Sequence, residues 1–365
     1  MVIHRFSSIA LVSFFSVFIM LSGCGGGSGG TPETPPAASS QSISGGGVKG
    51  PLANAVVIVY AYDATQPGFK GAVIATGNTN AASAITGLTL PFPLNPPYIM
   101  EFTSTTGETT DITTGAFPVI TTMRTVITDA LLNSGEQIYA TPLTTMAVDI
   151  AIQNSTATTT ATQFESALTT AATQVVSTLG FGMGSTVDIF DTPPLIDNTT
   201  TTTAEQTNVA AYRAAVEAVT AIAFEIDQQS AGGDTDSVLT ELALDLADGD
   251  GINGSAGSQI NTNTLQVLNQ NPASLTIPNT SQTVAEIQTI LANEVNQTGS
   301  TSSTAALTDN TINTQTVLAI TNPDIDGDGV LNINDAFPED GAETTDADGD
   351  GIGDVEGVTL QEDFE

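Results

Sequence analysis

The sequence predicts a multidomain α+β chain in three parts: a small β-sandwich, then an α-helical bundle, then an irregular repeat segment. Three observations predict it. Residues 44–120 carry short β-branched and aromatic runs separated by Gly and Pro. Residues 121–297 switch to apolar side chains spaced by three and four. Residues 323–365 hold few apolar side chains but two loops with Asp at alternate positions. A length of 365 residues is enough for two or three domains.

The β part opens on the turn Gly50-Pro51-Leu52-Ala53-Asn54-Ala55, which leads into the strand Val56–Tyr62. Further strands are expected at Ala72–Thr76, Ile85–Leu90 and Tyr98–Ser104. Short strands at that spacing favour a sandwich.

In the helical part, Thr141 reads as an N-cap and Pro142 as the first helical residue. Leu143, Met146, Ala147 and Ile150 then form one stripe. A second helix carries Phe164, Leu168, Ala172, Val175 and Leu179 and stops at Gly180. A third opens with the capping box Thr203 to Gln206 and carries Val209, Tyr212, Val216, Val219, Ala223 and Ile226. A fourth covers Ser237–Leu246. A fifth opens with the box Thr283 to Glu286 and carries Ile287, Ile290, Leu291 and Val295. One-sided stripes of this kind predict helices packed on each other as a bundle.

Composition removes whole classes of function. Forty acids stand against five Lys and Arg, a formal net charge of −35. So acidic a chain is not expected to bind nucleic acid through its phosphates, nor to approach an anionic bilayer. It attracts cations. The acids crowd the C-terminus: residues 321–365 contain fifteen Asp and Glu and no Lys or Arg.

The N-terminus reads as a signal peptide over residues 1–23, with His4 and Arg5 before the apolar run Phe6 to Leu21. The run ends in Leu21-Ser22-Gly23-Cys24. That tetrapeptide resembles the lipobox of bacterial lipoproteins. The resemblance implies cleavage before Cys24, lipidation of its thiol, and, with Gly25 next, delivery to the outer membrane. Residues 24–43, rich in Gly, Ser, Pro and Thr, are expected to be a flexible tether. The only His and the only Cys of the chain are His4 and Cys24. Such maturation would leave no imidazole and no free thiol. That excludes Ser-His-Asp and Cys-His catalysis, His- or Cys-ligated zinc, c-type haem and disulfides. Chemistry by carboxylates alone survives the exclusion, marked by two buried acids about 5–10 Å apart.

The C-terminal loops carry the strongest functional signal. In the first, Asp324, Asp326 and Asp328 fill positions 1, 3 and 5 of an EF-hand-type cage. Gly329 allows the sharp turn, the Val330 carbonyl faces the ion, and Asn332 and Asp335 fill positions 9 and 12. The second loop supplies Asp346, Asp348, Asp350, Gly351 and Asp354, but position 12 is Gly357. Three carboxylates within a few residues repel each other unless a cation sits between them. The expected ion is Ca²⁺, which makes this last segment calcium-stabilised. Without metal it is expected to be unfolded, having too few apolar residues to offset its ordering entropy. The competing reading is a solvated acidic tail. A weaker site, Asp245, Asp248, Asp250 and Gly251, lacks a ligand at position 1 and reads better as a polar turn closing the fourth helix.

Two further resemblances follow from these residues. "DAFPEDGAETTDADGDGIGD" resembles bacterial thrombospondin type 3 repeats, which implies a chain wrapped around a row of Ca²⁺ ions over residues 323–365. "GGGVKGPLANAVVIVYAYD" resembles the carboxypeptidase-regulatory-like, or prealbumin-like, sandwich, which implies a spacer or adhesion module over residues 44–120. Between the helices and the repeats, residues 298–322 read as a linker. Arg213 is expected to pair with Glu217 one helical turn on.

The sequence thus predicts a calcium-binding, lipid-anchored envelope protein with a structural or adhesive role and no enzymatic activity. Its expected partners are calcium, the membrane through Cys24, and a surface protein or polysaccharide. The alternatives are a binder of polysaccharide or small ligands, and a carboxylate-only hydrolase.

Overall fold

The computed structural model of the chain describes residues 40–184, 187–229, 234–249 and 270–304, with 251–252, 267–268, 307, 342 and 344–345. These residues form a mixed α+β fold. Eleven strands are described: β1 (Ser40–Ser42), β2 (Gly45–Gly47), β3 (Leu52–Ala53), β4 (Val56–Tyr62), β5 (Lys70–Thr79), β6 (Ile85–Thr86), β7 (Thr89–Pro91), β8 (Tyr98–Thr103), β9 (Thr110–Asp111), β10 (Thr122–Ile127) and β11 (Ile138–Ala140). Six α-helices accompany them: α1 (Asp129–Ser134), α2 (Pro142–Gln153), α3 (Ala161–Leu179), α4 (Thr203–Gln229), α5 (Thr235–Leu246) and α6 (Ile287–Thr298).

The main sheet is five-stranded and antiparallel, in the order β10-β8-β4-β5-β6. Three two-stranded ladders surround it: β1 with β7, β3 with β9, and the parallel pair β2 with β11. Strand β4 begins and ends where its β-branched run predicts. Strand β8 is one residue shorter than the expected Tyr98–Ser104, and Ile85–Leu90 is split into β6 and the start of β7. Residues 40–42, read as part of a tether, are paired in register with Thr89–Pro91.

The stretch before the first expected helix is not purely helical. Between residue 121 and Thr141 the chain makes β10, the short α1 and β11. Strand β10 holds Met123, Thr125 and Val126 against the core and continues the main sheet beside β8. The Thr141 cap is as predicted. Its hydroxyl accepts from the Thr144 amide at 3.1 Å, the Thr144 hydroxyl accepts from the Thr141 amide at 2.8 Å, and Pro142 opens α2. The box Thr283 to Glu286 is also present, with its first turn 3₁₀ before α6 begins.

Two expectations are corrected. The cap of α4 sits one residue early. Thr202 accepts from the Glu205 amide, and Glu205 accepts from the amides of both Thr201 and Thr202. A carboxylate accepts these bonds more strongly than a neutral amide, and Gln206 instead donates to the Ser303 carbonyl. Gly180 ends α3, but with φ of −80°, in the right-handed region. It is required for space, because a Cβ there would overlap the Val176 carbonyl.

One apolar cluster joins sheet and helices: Val57, Val59 and Phe102 belong to it together with Met146, Phe164, Val175 and Val216. Tyr62, Phe69 and Phe164 meet at its edge, with Tyr62 stacked on Phe164 at 5.0 Å. Helix α4 is not one-sided. From Val209 to Ala223 it is buried nearly all round, because Ala210, Ala214, Ala215, Ala218 and Ala221 let neighbours approach on every face. Residues 300–303, read as the start of a linker, instead bond to the stretch 197–206. Asn198 Oδ1 accepts from the Thr301 amide, and Asp197 O accepts from the Ser302 hydroxyl.

Phe164 closes the contact between β4 and α3. Phe164→Ala is expected to lower unfolding stability by about 3–5 kcal/mol in urea titrations, as large core truncations do.

Candidate functional site

All ten residues expected to hold calcium (Asp324, Asp326, Asp328, Val330, Asn332, Asp335, Asp346, Asp348, Asp350 and Asp354) lie outside the described residues, as does Cys24. Of the weaker candidate, Asp245 is buried near the end of α5, and Ala247, Asp248 and Gly249 form a turn after it. Asp250 lies outside the described residues. Among the described residues no group of three or more Asp, Glu, His or Cys is placed to hold a metal ion. None of their helices is long and apolar enough to cross a membrane.

Three other features stand out. The first is a groove of about 1040 Å³ between α1, α3 and residues 182–183 and 187–191. Leu168, Ala172, Val176, Met183 and Phe190 supply apolar lining, and Asp129, Glu136, Glu165, Asp188 and Asp191 supply carboxylates. Glu136 and Asp191 are hydrogen-bonded to each other. That bond, then the charge of Asp191, then burial raise the Glu136 carboxyl above its ordinary range. Burial, followed by the charge of Asp129, raises Glu165. A second hollow of about 430 Å³ shares Glu136 and Asp191 and adds Asp197 and Glu205. Among the described residues no Lys or Arg lines either one.

The second feature is a fully buried charge network. Arg213 on α4 donates to Glu217 Oε1 through Nε at 3.1 Å and Nη2 at 2.9 Å. The sequence anticipates this pair. It does not anticipate that Arg213 also donates to both oxygens of Glu294 on α6 at 2.7 Å, to the Thr113 hydroxyl and to the Lys49 carbonyl. Lys49 in turn lies 3.2 Å from Asp111 Oδ2 and 3.3 Å from Glu217 Oε2. All five charged side chains are at most 3% exposed. Burial pulls the Lys49 ammonium down, but Asp111 and Glu217 outweigh it, so the group ends above its ordinary value. Burial raises Glu217 by more than Lys49 and Arg213 lower it.

A third cluster lies between β5, β8, β10 and α2. Lys70 meets Glu101 at 2.8 Å, and Arg124 meets Asp149 at 2.6 Å. Each of the four described cations, Lys49, Lys70, Arg124 and Arg213, is therefore held by a carboxylate of the chain itself.

No family model, no curated protein and no solved structure matches this chain.

The Asp149 carboxyl is pushed up to about 6 from an ordinary 3.8, first by burial, with Arg124 and Lys70 opposing and Glu101 adding to it. Between those two values the folded state binds more protons than the unfolded state. Asp149 therefore contributes stability that is present below pH 3.8 and is lost as pH rises through about 6. Urea unfolding at several pH values is expected to show this component in the wild type. It should be missing from Asp149→Asn; identical pH slopes would contradict the assignment.

Proposed function

We propose that this is a calcium-binding, lipid-anchored protein of the cell envelope, with a structural or adhesive role. The reading divides the chain into a β-sandwich, a helical bundle and a calcium-stabilised C-terminal segment. One observation carries it: Asp at three alternate positions followed by Gly, twice, at Asp324–Gly329 and Asp346–Gly351. The ligands would be Asp324, Asp326, Asp328, the Val330 carbonyl, Asn332 and Asp335 in the first loop. Asp346, Asp348, Asp350 and Asp354 would serve the second.

The charge balance of the described residues supports the same reading. Their four cations are all engaged by carboxylates within the body. The fifteen acids of residues 321–365 have no basic residue of their own segment to offset them. Counter-charge must come from solution, and oxygen cages of this spacing suit Ca²⁺ better than monovalent ions. Cys24, after the signal sequence, would carry the lipid. Calorimetric titration of the full chain with Ca²⁺ is expected to give binding at roughly 10⁻⁴ to 10⁻³ M. Circular dichroism should change in parallel. Asp326→Asn with Asp348→Asn should abolish both signals. Heat without any conformational change would mean a solvated polyanion and would sink the proposal.

A second reading, small-ligand binding, is favoured by the groove against α3. Its apolar lining and cation-free carboxylates suit a small amphipathic organic cation. Alkylamines such as decylamine are expected to raise the Tm of the full chain, with decanol and decanoate much weaker. Val176→Trp, which fills the groove, should remove the effect. Equal shifts in that variant would locate the binding elsewhere.

A further inference from the structure

Lys49 sits in the turn between β2 and β3, and Asp111 is on β9, the partner strand of β3. Both side chains are 1% exposed, with Nζ 3.2 Å from Oδ2. The other Asp111 oxygen, Oδ1, accepts from the Thr113 amide at 2.9 Å. A donor there stabilises negative charge developing on that oxygen. Gly50 lets the two groups close in, since a Cβ at that position would overlap the Asp111 carboxylate.

A third group completes the constellation. Glu217 Oε2 lies 3.3 Å from Lys49 Nζ and has no hydrogen-bond partner, although it is wholly buried. Its other oxygen is fixed by two bonds from Arg213, whose Nε also donates to the Lys49 carbonyl. The free oxygen is thus aimed at the ammonium by a rigid support. A buried amine, a buried carboxyl with one oxygen polarised, and a carboxylate oxygen ion-paired with the amine but without a hydrogen bond are the parts of an amide-forming site.

We propose that Lys49 and Asp111 condense to an intramolecular isopeptide bond, with Glu217 relaying the proton. The Lys49 ammonium passes one proton to Glu217 Oε2. The freed lone pair attacks Asp111 Cγ, and Oδ1 takes up the developing charge against the Thr113 amide. The N–Cγ bond forms and the Cγ–Oδ2 bond breaks. Oδ2 leaves as water, carrying the proton returned by Glu217 and a second one lost by the nitrogen. An ammonium and a carboxylate become a neutral amide and one water. Nothing is oxidised or reduced, and no co-reactant is needed. Burial makes Glu217 a stronger base than an exposed carboxylate, which helps the first transfer, while the charges of Asp111 and Glu217 hold the Lys49 proton more tightly, which opposes it. Removing two charges from a water-free interior and expelling a water favour the product. The bond would tie β9 to the β2–β3 turn covalently, independently of any calcium bound elsewhere.

Peptide mapping of the denatured full chain tests the proposal. Trypsin is expected not to cut after Lys49. The fragment ending at Lys70 should be found joined to the fragment ending at Arg124, lighter than their sum by one water molecule. Asp111→Ala and Glu217→Gln should both restore cleavage after Lys49 and release the two fragments. Wild-type protein that is cleaved after Lys49, with its amine open to acetylation after denaturation, would overturn the proposal, and this result needs no variant to fold. A linkage that survives Glu217→Gln would overturn the relay role.

Discussion

The architecture depends on the buried charges around Arg213. A guanidinium with no access to water must have its donors met by the protein, and each acceptor comes from a different part of the chain. Glu217 lies on the same helix, Glu294 on α6, Thr113 just past β9, and the Lys49 carbonyl before β3. The β ladders, the central helix and the last described helix are therefore positioned by one cation. Replacing such a group by packed apolar side chains can be neutral, whereas removing one partner alone leaves a bare charge in the interior. The network acts as a register pin between elements far apart in sequence.

The same scarcity of cations shapes the exterior. With every described Lys and Arg engaged, surface carboxylates have no basic neighbour to turn to. The groove beside α3 and the acidic C-terminal loops share that condition. In both, the acids have no basic residue of their own segment or lining beside them. On the proposed reading, the spacing of the loops would select a hard divalent ion, and the apolar lining of the groove an organic one.

Local signals were legible in the sequence where the residues themselves carry the physics. Val56–Tyr62 is a β-branched run and forms β4 with those bounds. Thr141 and Pro142 form a cap because a hydroxyl and a ring with fixed φ suit that place in any fold. Strand β2 is three glycines, which give no β signal, and it exists because β11 pairs with it. Strand β10 was hidden because Thr and Arg alternate with its apolar residues in a stretch where helical spacing was taking over. The Arg213–Glu217 pair followed from spacing, but its burial did not. Lys49 and Glu294 stand 164 and 81 residues away from Arg213, and no local pattern reports them. The groove was equally invisible, since it is built from α1, α3 and residues 182–183 and 187–191. The loops expected to hold calcium are the opposite case, where all the information is local and the residues lie outside the described ones.

If the Arg213 network binds sheet and helices into one cooperative unit, urea unfolding of Glu294→Ala measures it most directly. Far-ultraviolet circular dichroism would follow the helices, and in a shared background with Tyr139→Phe and Tyr212→Phe, tyrosine fluorescence from Tyr60, Tyr62 and Tyr98 would follow the sheet. The account expects a loss of about 3–5 kcal/mol, as for other broken buried ion pairs, with both probes moving in a single transition. A loss below about 1 kcal/mol, the range of exposed pairs, or a helical transition separated from that of the sheet, would contradict it.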